Sequence, residues 1–141
     1  MKQIIAAGIL VLMAAFHAQG AESVTGEYRT RQTNLTGTLL VKQLPDNRLK
    51  FDIQTVKKGG GDYAGSVTKC SASGIAERKG GGTAVYSNME DYMEIPFNVL
   101  MRLKNNRIIV ESNADEVSMC GMGAWLDGTY VKKEQQRAQV F

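Results

Sequence analysis

The strongest constraint in this chain is a hydropathy period of two. Arg48-Leu49-Lys50-Phe51-Asp52-Ile53-Gln54 alternates without a break, so Leu49, Phe51 and Ile53 share one face and the charged and amide side chains share the other. A helix would scatter these residues around its axis, whereas a half-buried strand collects them. The segment before it, 37–44, supplies Leu39 and Val41, and Pro45-Asp46-Asn47 makes a three-residue connection. Folding about that connection sets Val41 opposite Phe51 and Leu39 opposite Ile53. Pro45 suits the first turn position, and Asn47 tolerates the left-handed backbone such a loop needs.

A second hairpin is equally plain. Segments 97–104 and 107–111 flank the pair Asn105-Asn106, and a two-residue turn there sets Leu103 against Ile108 and Met101 against Val110. The outward positions then pair Lys104 with Arg107 and Leu100 with Glu111. Between the two hairpins, segments 66–70, 74–78 and 83–86 alternate more weakly. The last two are joined by Lys79-Gly80-Gly81-Gly82, which predicts a third, flexible hairpin.

Gly26-Glu27-Tyr28 and Gly128-Thr129-Tyr130-Val131 read as strands entered through glycine near either end of the domain. If these two pair, the sheet closes and loses its free edges. The expected fold is therefore all-β: a single antiparallel barrel of about eight strands, or a closely related sandwich, with one disulfide. Its predicted interior is Leu39, Val41, Leu49, Phe51, Ile53, Phe97, Val99, Met101, Leu103, Ile108 and Val110, with Trp125 as the obvious large packing residue beside the Gly121 and Gly123 bend. Residues 134–140 are expected to form one terminal turn or stay loose.

Residues 1–20 have the order of a secretory signal peptide, with Lys2 at the start, an apolar run from Ile4 to Phe16 and Ala18-Gln19-Gly20 before Ala21. The apolar run is too short to span a bilayer. The domain proper is then 21–141, with no integral membrane segment, exported to a Gram-negative-type periplasm. Cleavage would lower the net charge of +3 by one and remove His17, the sole histidine. A nearly balanced chain carries no nucleic-acid or anionic-membrane footprint. Without an imidazole there is no Ser-His-Asp or Cys-His pair and no His-ligated zinc; a glycosidase can run on two carboxylates alone, but nothing in the sequence places two of them around a scissile bond, so the expected protein is not an enzyme and takes no cofactor.

The only two cysteines, Cys70 and Cys120, read as one structural disulfide in an oxidising compartment. Closing a loop of that size contributes about 4 kcal/mol in the chain-entropy picture. The glycine cluster Gly59-Gly60-Gly61 lacks the rest of a phosphate-binding motif and reads as a mobile basic loop. The acidic loop at 88–94 does not have the donor spacing of a calcium loop, so no metal site is expected. The three carboxylates Glu90, Asp91 and Glu94 with Tyr92 and two methionines form instead a compact acidic and apolar patch suited to a basic protein partner.

The stretch Cys70-Ser71-Ala72-Ser73-Gly74-Ile75-Ala76 resembles the Ser-Gly loop of bacterial periplasmic lysozyme inhibitors, small exported β proteins that often carry a disulfide. Ser73 and Gly74 match the Ser-Gly-x-x-Tyr motif, while Glu77 stands where that family has its tyrosine. The resemblance implies a loop that enters the cleft of a cell-wall hydrolase. Size, compartment and disulfide use are also similar to those of periplasmic immunity proteins, which protect bacteria from wall-degrading toxins. The expected function is thus to bind and block another protein, with Ser73, Gly74, Lys79, Glu90, Asp91 and Tyr92 as partner-binding residues. The alternative is a carrier of a small hydrophobic ligand inside the barrel.

Overall fold

The computed structural model describes residues 24–59, 65, 67–91, 93–120 and 123–133. The leader expected at 1–20, Tyr92, the bend expected at Gly121 and the terminal turn expected at 134–140 lie outside these residues. Eight strands follow one another in order: β1 Gly26–Gln32, β2 Leu35–Leu44, β3 Arg48–Lys58, β4 Val67–Lys79, β5 Thr83–Asn88, β6 Phe97–Lys104, β7 Arg107–Ser112 and β8 Gly128–Lys132. Each pairs antiparallel with its neighbour in sequence, and β8 returns to β1, so the sheet is a closed barrel.

The two hairpins have the registers that their alternation demands. Val41 faces Phe51 and Leu39 faces Ile53 across β2 and β3. Leu103 faces Ile108 and Met101 faces Val110 across β6 and β7. At the first turn both Asp46 (φ 66°) and Asn47 (φ 61°) take the left-handed backbone, and Asn106 (φ 62°) does so at the second. Asp and Asn accept this region at lower cost than most residues, because their short polar side chains bond to the local backbone.

Two expectations need correction. Segments 66–70 and 74–78 are not separate strands: Val67–Lys79 is one continuous strand, paired with β3 from Lys58↔Val67 to Arg48↔Glu77. The small residues Ser71, Ala72, Ser73 and Gly74 hide the alternation, but their backbone completes the β3 ladder. Trp125 is also not deep core. It is half-buried, with its Nε1 donating to Gln32 Oε1 at 3.0 Å and the Lys57 ammonium 5.1 Å from its ring centre. The connection that holds Trp125 instead buries Ala114, Ala124 and Leu126.

Among the described residues the inward side chains pack into one apolar core. Every residue expected there is buried except Leu103, which is half-buried, and Tyr28, Leu35, Leu126 and Tyr130 join them. Large rings fit because small residues oppose them. A Cβ on Gly37 would come within 3.0–3.1 Å of Thr30, Thr55 and Tyr130, so glycine leaves the space that the Tyr130 ring occupies. Burial, with the Asp127 charge adding to it, pushes the Tyr130 phenol well above its usual range. It therefore stays protonated and donates to Leu126 O at 2.7 Å.

The same device operates at Gly74, where a Cβ would lie 2.7–2.9 Å from the Tyr86 ring. Tyr86 in turn packs edge-on against Phe51 at 5.1 Å and Phe97 at 6.1 Å. Where Tyr86 leans across, the ring of strands is thin. Only Glu77, Arg78 and Lys79 of β4 pair with β5.

Antiparallel order places the connections at two ends. The short ones, Pro45–Asn47, 80–82 and 105–106, lie at one end with both termini of the barrel. There the Lys133 hydrogen bond, with the Arg29 charge beside it, holds the Glu27 carboxyl below its usual range. The longer connections, 59–66, 89–96 and 113–127, lie at the other end with the 33–34 turn.

The Gly74 fit gives a direct test. Gly74→Ala should destabilise the fold by about 1–3 kcal/mol in urea unfolding, because the ring cannot yield without disturbing Phe51 and Phe97. In a Tyr86→Ala background the penalty should vanish, giving a coupling of that size in the double-mutant cycle.

Candidate functional site

At the long-connection end two of the longer connections bring side chains from separate parts of the sequence together. The β7–β8 connection, 113–127, is held at its base by Asp127, whose Oδ1 accepts from Ser112 N at 3.1 Å and Ser112 Oγ at 2.7 Å. Thr55 Oγ1 donates to Trp125 O at 2.8 Å, pinning the connection across the barrel mouth. The Cys70–Cys120 disulfide ties its middle to β4 across a sequence separation of 50. Between these anchors, Glu116 N and Val117 N donate to Asn113 O, and Met119 N donates to Ala114 O, which winds 113–119 into a tight turn.

Asn113 also joins this connection to the β5–β6 connection, 89–96. Its Oδ1 accepts from Asn98 N at 2.7 Å and its Nδ2 donates to Pro96 O at 2.8 Å. Within 89–96, Met93 N donates to Glu90 O at 2.9 Å. The two connections then face each other across a cleft of about 320 Å³, lined by Met93, Glu94 and Ile95 on one side and Glu116, Val117 and Ser118 on the other.

This end is rich in exposed carboxylates. Glu90, Asp91, Glu94, Asp115 and Glu116 are all exposed. Among the described residues none of them forms an ion pair. By contrast Glu27, Asp46, Glu77 and Glu111 each have a basic partner within 4.0 Å. Lys57, Lys58 and Lys69 belong to the same end of the barrel, with Lys57 over Trp125. Exposed apolar side chains accompany the carboxylates, with Met89 54% and Ile95 41% accessible. Among the described residues no group of acidic or cysteine side chains converges tightly enough to hold a metal ion.

The residues singled out in the sequence do not form one surface. Glu90 and Asp91 lie on the acidic end, with Asn88 Nδ2 donating to Glu90 Oε1 at 3.3 Å. Lys79 is at the opposite end, 3.3 Å from Glu77. Ser73 and Gly74 are not on a loop or bend; they sit in mid-strand opposite Asp52 and Phe51, because the β3 ladder runs straight through them. Ser73 points outward, and Gly74 serves the Tyr86 contact. A plug formed by Ser73 and Gly74 projecting from the barrel is therefore ruled out.

Sequence reading missed that Glu116 and Val117 meet Glu94. The signal was present: once Val99 pairs with Ser112 across the β6–β7 hairpin, the chain entering β6 and the chain leaving β7 must emerge side by side.

Compared with protein families, with curated proteins and with solved structures, the chain finds no match.

The disulfide should matter chiefly to this end. Replacing both Cys70 and Cys120 with alanine should lower stability by about 4 kcal/mol in denaturant titration. Hydrogen exchange should rise first at 113–120 and less in the β2–β3 and β6–β7 hairpins, which hold themselves by register.

Proposed function

We propose that the protein acts by binding a basic protein and blocking it, using the acidic end formed by the β5–β6 and β7–β8 connections. The observation that carries this reading is the set of five exposed carboxylates that form no ion pair among the described residues, placed beside exposed Met89 and Ile95 on braced connections. Like charges held close together repel, and a cationic partner relieves that repulsion while the apolar side chains lose water. The two connections are already tied to β4, to the barrel mouth and to each other, so little ordering entropy is lost on binding.

The target class proposed is a cell-wall-degrading hydrolase, as for a lysozyme inhibitor or a toxin-immunity protein, in the periplasm of the producing cell. The disulfide fits an oxidising compartment. Among the described residues no helix is long and apolar enough to cross a membrane. The outward positions of the barrel wall include Arg29, Arg31, Lys42, Lys50, Lys69 and Arg102, which is unlike the apolar band of a lipid-facing barrel. Inhibition of this kind requires shape and charge, not a reacting group: a connection seated in a hydrolase cleft excludes its substrate.

The carrier alternative draws no support from the interior, where Phe51, Met101 and Tyr130 are at most 1% accessible and occupy the space a ligand would need.

Titration calorimetry of the oxidised, processed protein with a basic lysozyme tests the proposal. Binding should be stoichiometric and should weaken as salt is raised. The double substitution Glu94→Lys with Glu116→Lys should weaken it by about 1–3 kcal/mol while leaving the unfolding midpoint nearly unchanged. Binding that ignores this charge reversal would remove the acidic end from the contact. Absence of binding to any basic wall hydrolase would overturn the target class.

A further inference from the structure

Only three residues of β4, Glu77, Arg78 and Lys79, pair with β5, although β4 is thirteen residues long. On its other side the strand is paired with β3 from Val67 to Glu77. Among the described residues no strand or loop makes a backbone hydrogen bond to Val67–Ala76 from the β5 side. Ala72 and Gly74 point inward yet keep intermediate accessibility, while Cys70 and Ala76, also inward, are 2% and 0% accessible. The barrel wall is thus open beside 72–74. The disulfide leaves from the inward-facing Cys70 and holds the Cys120 Cα 4.7 Å from the Cys70 Cα.

A free edge of this length presents a row of unpaired N–H and C=O groups, and only another extended backbone satisfies them in register. Proteins commonly blunt such an edge with proline, a bulge or several charges. Segment 67–76 has no proline, one charge at Lys69, and the small residues Ser71, Ala72, Ser73 and Gly74, which let a second backbone approach closely.

We propose that this edge pairs with the same edge of a second copy of the chain, antiparallel and about a two-fold axis at Ser71. The sequence of the edge is self-complementary in that register. Val67 (54% accessible) faces Ile75 (49% accessible) of the second copy, and Ile75 faces its Val67. Each Lys69 faces Ser73 and never the other Lys69, and Ser71 faces Ser71. Moving the axis by one residue to either side breaks the Val67–Ile75 match. An isologous contact of this kind closes at two subunits, which prevents the edge from seeding fibres. Nine residues, 67–75, give a ladder about 30 Å long. It continues the outer wall groove of about 490 Å³ in which Leu40 and Ile75 flank Asp52 and Ser73.

The test uses the oxidised, processed protein. Sedimentation equilibrium should show a concentration-dependent dimer. Ile75→Lys, at an exposed position, should weaken dimerisation by about tenfold or more, since it places cations where two apolar side chains meet. Directly opposed residues in antiparallel strands have Cα atoms about 4.5–5.5 Å apart, within disulfide reach. Ser71→Cys should therefore give a covalent dimer on mild oxidation, with the Cys70–Cys120 bond verified by peptide mass mapping. Ser73→Cys, which faces Lys69, should not. A protein that stays monomeric up to roughly 1 mM would overturn the proposal. So would a dimer indifferent to Ile75→Lys, efficient self-linking through Ser73→Cys, or an edge taken up by a foreign extended peptide with no self-association.

Discussion

The contact between the Tyr86 ring and Gly74 governs more of this molecule than any other. A strand side chain fills a barrel interior only if the facing wall gives way, and here it does so by having no Cβ. Tyr86 thereby reaches Phe51 and Phe97 and fills the space between β4 and β6. It stands where β5 parts from β4, so the interaction that completes the core also marks where the wall is thin. Gly37 and Tyr130 repeat the arrangement near the barrel mouth, without opening the sheet.

The disulfide and the hydrogen bonds of Asn113, Thr55 and Asp127 perform a different task. They fix connections that have too few apolar residues to hold themselves. Ala114, Ala124 and Leu126 reach the core, but most of 113–127 stays near the surface. Braced in this way, the β5–β6 and β7–β8 connections hold five exposed carboxylates at one end of the barrel, with Glu94 and Glu116 lining one cleft. In a freely moving loop those charges would spread apart and the field they create would weaken. The structure therefore separates a stiff, neutral interior from an acidic end and from a β4 edge that has no backbone partner among the described residues.

How far the sequence was legible depended on side-chain size. Where large apolar residues alternate with charges, as in Arg48–Lys58 and Phe97–Lys104, both strand and register could be read, because a slip of one residue would bury lysines. In β4 the inward positions are Cys70, Ala72, Gly74 and Ala76, too small to register as a hydrophobic face, and one strand reads as fragments. Ser73-Gly74 then resembles a loop motif, although the β3 ladder runs through it. Glu90 and Asp91 were recognisable as a patch from their proximity in sequence. Their association with Asp115 and Glu116 follows from the β6–β7 register, a step that composition does not supply.

By itself the sequence determined that the chain is a β protein with two firm hairpins, one disulfide and an interior of Leu, Ile, Val, Phe and Met, since period and turn chemistry are local properties. Only the tertiary structure decided which carboxylates share an end, that Gly74 receives a ring, and that β4 outruns its neighbour β5. These depend on how far apart strands splay around a particular packed interior, and that distance is set by the volumes of residues remote from one another in sequence.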